Sequence, residues 1–169
     1  MESAMKAVLE GINRYQPVPW HLIPDLGLYM DQVITFITRM YEPLYGDASA
    51  NYISASMINN YVKAKLIPRP EGKKYNREQI ALLTMIVALK QVTSMEDIRI
   101  MLTLKNGMTV EQLYRLFCER QQAVITALTA SVDENTECDL PPAMNYAIVA
   151  SGYRIACEAM LEVEAPDKA

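Results

Sequence analysis

Between Ile53 and Lys90 the chain carries Lys63, Lys65, Arg69, Lys73, Lys74, Arg77 and Lys90 against only Glu71 and Glu78. That is a local charge of +5 in a protein whose formal total is −4, so the remainder carries −9. A basic module inside an acidic protein is the distribution that phosphate binding calls for, because each cation set against a backbone phosphate releases condensed counterions. The bland alternative is a lysine-rich solvated loop. Just ahead of these bases lie Ser54, Ser56, Asn59 and Asn60. Asparagine can make a bidentate contact to adenine in the major groove, and serine can donate to a phosphate or a base edge. Neighbours on a helix diverge by about 100°, so Asn59 and Asn60 do not both face one groove. Lys63 and Lys65 close the same short segment. Arg69, Lys73 and Lys74 are candidates for phosphate or minor-groove contact, and Tyr75 for a hydroxyl contact to the backbone or for packing beneath it. Arg77 falls in the first turn of a helix, where the dipole disfavours a cation, which hints at an external anion.

Other chemistries are poorly supplied. His21 is the one histidine, so a histidine-based metal site or a catalytic triad lacks its parts. Cys118, Cys138 and Cys157 form no C-x-x-C pair, and three thiols cannot all close into disulfides, which fits a reducing compartment. There is no glycine-rich phosphate loop. The acid pairs Glu96-Asp97 and Asp133-Glu134 read as helix-start and loop acids. The expectation is a protein that is not an enzyme and has no cofactor and no metal.

The elements that must position the basic segment follow from periodicity. Met5, Val8, Leu9 and Ile12 predict a short first helix. Pro17, Pro19 and Pro24 make Gln16 to Leu26 an irregular arm that packs through Trp20, Leu22 and Ile23. Met30, Val33, Ile34, Ile37, Met40 and Leu44 form one helical stripe, ended by Gly46 and the polar run to Asn51. Ser54 caps a short helix with Met57, Ile58, Tyr61 and Val62, ending near Lys65. Pro68, Pro70 and Gly72 exclude a helix over Leu66 to Tyr75 and point to a small β-ribbon or loop. Asn76-Arg77-Glu78-Gln79 is a capping box that opens a helix through Val92. It is apolar nearly all round from Ile80 to Leu89, so it must be covered on more than one side. Ser94 caps the next helix, with Ile98, Met101 and Leu102 inward and Asn106-Gly107 as its stop. Thr109 caps another, with Leu113, Leu116, Phe117, Val124 and Leu128 on one face. After the acidic stretch Asp133 to Asp139, Pro141-Pro142 opens a last helix carrying Ala143, Ala147, Ala150, Ser151, Gly152 and Ala156.

Helix, proline-rich ribbon with a basic tip, then two capped helices, from Ser54 to Leu102, is an order that resembles the MerR family of winged-helix regulators. That family's motif reads Ser-Pro-x-Thr-Ile-Arg-Tyr-Tyr-Glu-x-x-Gly-Leu-Leu-x-Pro. Ser54, Ile58, Tyr61 and the pair Leu66-Ile67 fall in its register without a gap. Gly72-Lys73-Lys74-Tyr75 stands where the family's wing returns, and Ser94-Met95-Glu96-Asp97-Ile98 where it has a Ser-Leu-x-Glu-Ile turn. The family's arginine is Asn59 here, its first tyrosine Asn60, its first wing tyrosine Gly72 and its wing arginine Lys73. About fifty residues precede the motif. The whole chain is also similar to an uncharacterised bacterial domain family with this core.

The expected fold is mainly α: N-terminal helices over 1–51, a MerR-like winged helix-turn-helix with a small β-ribbon wing over 52–105, and C-terminal helices over 106–169, forming one compact unit. The longest apolar run, Ile80 to Leu89, falls short of the roughly 20 residues that span a bilayer, and no basic run precedes an apolar stretch at the start. A cytoplasmic protein without a membrane partner is therefore expected. The resemblance implies a transcriptional regulator that reads double-stranded DNA as a homodimer, with a small-molecule effector left open. Self-association would use the Ala143, Ala147 and Ala150 face or the helix after Thr109. The alternative is a protein-interaction or effector-binding module that keeps the winged fold without DNA affinity.

Overall fold

The computed structural model describes residues 2–103, 107–131 and 140–164, with the side chains of 2–7 and 131 left aside. The Met5 side chain, Asn106, the acidic stretch Asp133 to Asp139 and Cys138 therefore fall outside what is described. In chain order the elements are α1 (Glu2–Asn13), β1 (Leu28–Tyr29), α2 (Met30–Tyr45), α3 (Ala55–Lys63), β2 (Lys74–Tyr75), α4 (Arg77–Leu89), α5 (Met95–Thr103), α6 (Val110–Ser131) and α7 (Pro142–Glu164). Short 3-10 turns occupy Trp20–Leu22 and Gly46–Asn51. The protein is mainly helical, with one small two-stranded antiparallel sheet.

The helix α4 is the centre of the core. Nine consecutive residues, Gln79 to Val87, are buried, as a helix without a polar face requires. Its capping box forms as the sequence predicts: the Asn76 side chain accepts from the Gln79 backbone N–H and the Gln79 side chain accepts from that of Asn76. The helix stops at Leu89, short of the expected Val92. Residues 90–93 instead turn back on the last carbonyls, Val92 N–H reaching Leu89 at 3.0 Å, so that Ser94 can cap α5.

Against α4 packs α6, and α2 reaches it through Tyr41; buried side chains of α3 and α5 join the same core, with α1 laid against α2 and α6. Buried tyrosines tie these layers together, each hydroxyl donating to a distant segment: Tyr41 to the Thr84 carbonyl at 2.9 Å, Tyr114 to the Val18 carbonyl at 2.7 Å and Tyr15 to Gln121 Oε1 at 2.6 Å. Burial raises all three phenol pKa values, so they remain protonated donors. The Tyr114 and Gln121 bonds decide which face of α6 is inward. Val110, Tyr114 and Ile125 are buried, with Leu113, Phe117 and Cys118 packed beside them. Leu116, Val124 and Leu128, expected on the core face, are exposed.

The two-stranded sheet is not a self-contained ribbon within Leu66 to Tyr75. β2 pairs with β1, Leu28 opposite Tyr75 and Tyr29 opposite Lys74, so the segment before α2 supplies the partner strand. Gly27, at φ 73, makes this possible. A Cβ there would come within 3.2 Å of Lys74 Cβ.

Candidate nucleic-acid interface

Ser54 accepts from the Met57 N–H at 3.3 Å and starts α3. Ile58 and Tyr61 are buried on the inner side of α3, and Leu66 and Ile67 are buried just after it. Ser56, Asn59, Asn60 and Lys63 are exposed on the outer side. The inward and outward positions fall where the sequence register puts them. The Tyr61 hydroxyl is buried without a hydrogen-bond partner, and burial raises its pKa.

The helix ends at Lys63 rather than Lys65, and its end explains why. The Leu66 N–H bonds to the Tyr61 carbonyl and the Lys65 N–H to that of Val62, both at 3.0 Å, which is the double bond of a Schellman motif. Lys65 stands at the left-handed position of that motif, φ 58, where glycine is usual. The chain then runs through Pro68, Arg69 and Pro70 into a tight hairpin turn. Glu71 bridges to Lys74, the Lys74 N–H bonds to the Glu71 carbonyl at 2.9 Å, and both central residues have positive φ: Gly72 at 53 and Lys73 at 63. Two residues with positive φ make the turn that matches the twist of a two-residue hairpin. Its apex lifts Lys73 into solvent.

These elements enclose one open groove of about 800 Å³. One wall is α3, through Asn59, Val62 and Lys63. Another is the hairpin, through Arg69, Pro70, Lys73 and Tyr75. The third is the start of α2, through Tyr29, Met30 and Asp31. Among the described residues none of Lys63, Arg69 and Lys73 is in an ion pair, and Asp31 is the acid in the lining. Tyr75 is buried with its phenol pKa raised by desolvation, so it packs the hairpin against the body while forming part of the groove floor. Lys74 points elsewhere: its ammonium lies 5.2 Å from the centre of the Tyr29 ring, a cation–π contact across the sheet.

Not every basic residue singled out from the sequence converges. Lys65 lines a separate depression with Leu66, Pro68 and Arg99. Arg77 is half-buried and occupied. Its Nε donates to the Ile23 carbonyl at 3.0 Å, its guanidinium reaches Asp25 at 3.5 Å, and it lies 5.8 Å from the Trp20 ring. The unfavourable place of this cation at a helix start is thus offset by internal partners that fasten the proline-rich arm. Sequence reasoning missed the third wall of the groove. Gly27 was its available signal, a glycine placed just before an apolar pair.

Across this same region a family model matches, over residues 18–117, and its description is "Domain of unknown function (DUF1836)". The chain belongs to that family. No curated protein and no solved structure matches it. The DUF1836 stretch runs from the arm through β1, α2, α3, the hairpin, α4 and α5 into the first half of α6, so it holds every wall of the groove. It leaves α7 outside.

Among the described residues, no group of three or more His, Cys, Asp or Glu side chains comes close enough to hold a metal ion. Burial pushes the Cys118 thiol pKa up, which favours the protonated form. A second open groove, about 680 Å³, lies under the arm and is lined by Pro17, Pro19, Trp20, His21, Tyr114 and Cys118 among others. Among the described residues, no helix is long and apolar enough to cross a membrane.

Proposed function

We propose that β1 to α4 is a winged helix-turn-helix unit that binds duplex DNA, with α3 as recognition helix and the Glu71–Lys74 hairpin as wing, in a transcriptional regulator. The observation that carries this reading is the convergence of Asn59 and Lys63 from α3 with Arg69 and Lys73 from the hairpin on one solvent-open groove. Base-reading and phosphate-holding side chains stand side by side there, as recognition of a duplex needs. The exposed row Ser56, Asn59, Asn60 and Lys63 faces out of the fold, while Ile58 and Tyr61 hold α3 to the body. Lys65, Lys74 and Tyr75 support the hairpin and its flank. Arg77 acts through the arm it anchors.

Fluorescence anisotropy with a mixed-sequence duplex tests this. Binding falls steeply as salt rises, and reversing Lys73, which lines the groove, together with its neighbour Lys74 to glutamate weakens it on every sequence, by roughly 10-fold or more. Asn59→Ala changes sequence preference by about 1–3 kcal/mol at one base position. Undiminished binding by the doubly reversed variant contradicts the reading.

A second reading, an effector-binding module without DNA affinity, draws on the groove under the arm, where the apolar Trp20 and Pro17 sit beside the polar His21 and Gln122. Absence of DNA binding at low salt, together with a small molecule that quenches Trp20 fluorescence, would favour it.

A further inference from the structure

The helix α7 turns an uncharged apolar face to solvent. Only Leu161 is buried among its residues, while Tyr153 is 76 % and Ile155 65 % exposed. Its packing side carries Leu161 and the half-buried Tyr146 and Cys157, and Ala150, Ser151, Arg154 and Glu158 line a depression with the α4–α5 turn. Ala143, Ala147 and Ala150, the face expected to meet another subunit, lie on the same side of the helix and are exposed. The opposite sector holds the half-buried Asn145 and the exposed Val149, Gly152, Ala156, Ala159 and Val163, which follow one another at intervals of four, three, four, three and four. That is the spacing of a coiled-coil seam. Ile148, Ile155, Tyr153 and Met160 flank it, all exposed.

We propose that this face of α7 is a self-association surface on which the α7 helix of a second copy of the chain packs antiparallel, about a two-fold axis near Arg154. Three observations select that occupant. The seam reads the same in both directions, so an antiparallel copy meets it in register: Asn145 opposite Val163, Val149 opposite Ala159 and Gly152 opposite Ala156. Charge favours the same orientation. Pro142 to Tyr153 carries no charged residue, whereas Glu158, Glu162 and Glu164 crowd the other end. Antiparallel packing lays each acidic end beside the partner's positive helix start, and parallel packing would gather six glutamates at one end. The same acidic balance disfavours a membrane surface, which is bound through lysine and arginine. The third observation is Gly152. A glycine inside a helix lowers its stability relative to alanine, yet a Cβ there would meet nothing within 4 Å. The fold itself gives this glycine no use, whereas a helix crossing closely over it would.

Sedimentation equilibrium of the full chain tests the proposal independently of any DNA reading. The wild-type protein is expected to be a dimer at low-micromolar concentration. Ala156→Glu, at an exposed position where glutamate is a good helix former, raises the dissociation constant by roughly 100-fold or more, with an unchanged helical circular dichroism spectrum. Gly152→Leu does the same by filling the crossing. With the native cysteines replaced by serine, a mixture of Val149→Cys and Ala159→Cys chains cross-links on mild oxidation and Val149→Cys alone does not. A wild-type protein that stays monomeric at about 100 μM, or an Ala156→Glu variant that dimerises like wild type, overturns the proposal. A monomer that pellets with anionic vesicles does so too, and gives the face to lipid instead.

Discussion

Two helices of this chain are apolar over most of their circumference, and they end in opposite environments. The helix α4 has buried residues from Gln79 to Val87, while α7 buries Leu161 alone. A helix without a polar face has to be covered on several sides. For α4 the cover is supplied by α6 and by the core that buried side chains of α2, α3 and α5 complete. For α7, among the described residues, the contact runs along one side, with α5, and the other side is exposed. The contrast separates two uses of the same composition: α4 builds the fold, and α7 is apolar toward something beyond the fold. It also tracks the family boundary, since α4 lies inside residues 18–117 and α7 outside them.

That contrast can be broken by substitution. The largest effect is expected in α4, where Leu83 is fully buried. Leu83→Ala should destabilise the protein by about 2–5 kcal/mol, read from the denaturant midpoint at unchanged m-value. A loss under about 1 kcal/mol would mean that α4 is not the packed centre. A comparable truncation on α7, Ile155→Ser, should change the stability of the monomer by no more than about 0.5 kcal/mol, measured at concentrations below dimerisation. A core-sized loss there would show that α7 is covered by its own chain. The smallest effect has the opposite sign. Lys65→Gly relieves a left-handed lysine at the end of α3 and should raise stability by up to about 1 kcal/mol. Thermal denaturation checks it, and a loss of stability would contradict the Schellman geometry.

How far the sequence reaches is visible in particular residues. The caps at Ser54, Asn76, Ser94 and Thr109 were readable because a side-chain oxygen placed before an apolar-periodic run has few other uses. The burial of α4 was readable from the missing polar face. The partner of β2 was not, because a two-residue strand carries no period and its pairing with Leu28–Tyr29 depends on how the arm folds back. The face of α6 was misread for a related reason. Ranking by apolarity favours Leu116 and Val124, whereas burial went to Tyr114, whose hydroxyl finds the Val18 carbonyl, and Gln121 faces the Tyr15 hydroxyl. In the groove, α3 and the hairpin were legible from charge and spacing. Counting charges could not foresee that Arg77 would be taken up by the Ile23 carbonyl and Asp25, nor that the start of α2 would form a wall.

The groove is the central claim, and the salt dependence of DNA binding tests it most directly. The logarithm of the binding constant for a mixed duplex should fall linearly with the logarithm of salt concentration. The slope should diminish by about one unit when Lys73 is changed to glutamine, because one phosphate then goes without its cation. The same slope in wild type and Lys73→Gln, or no binding at low salt, would contradict the assignment of the α3–hairpin groove as a nucleic-acid interface.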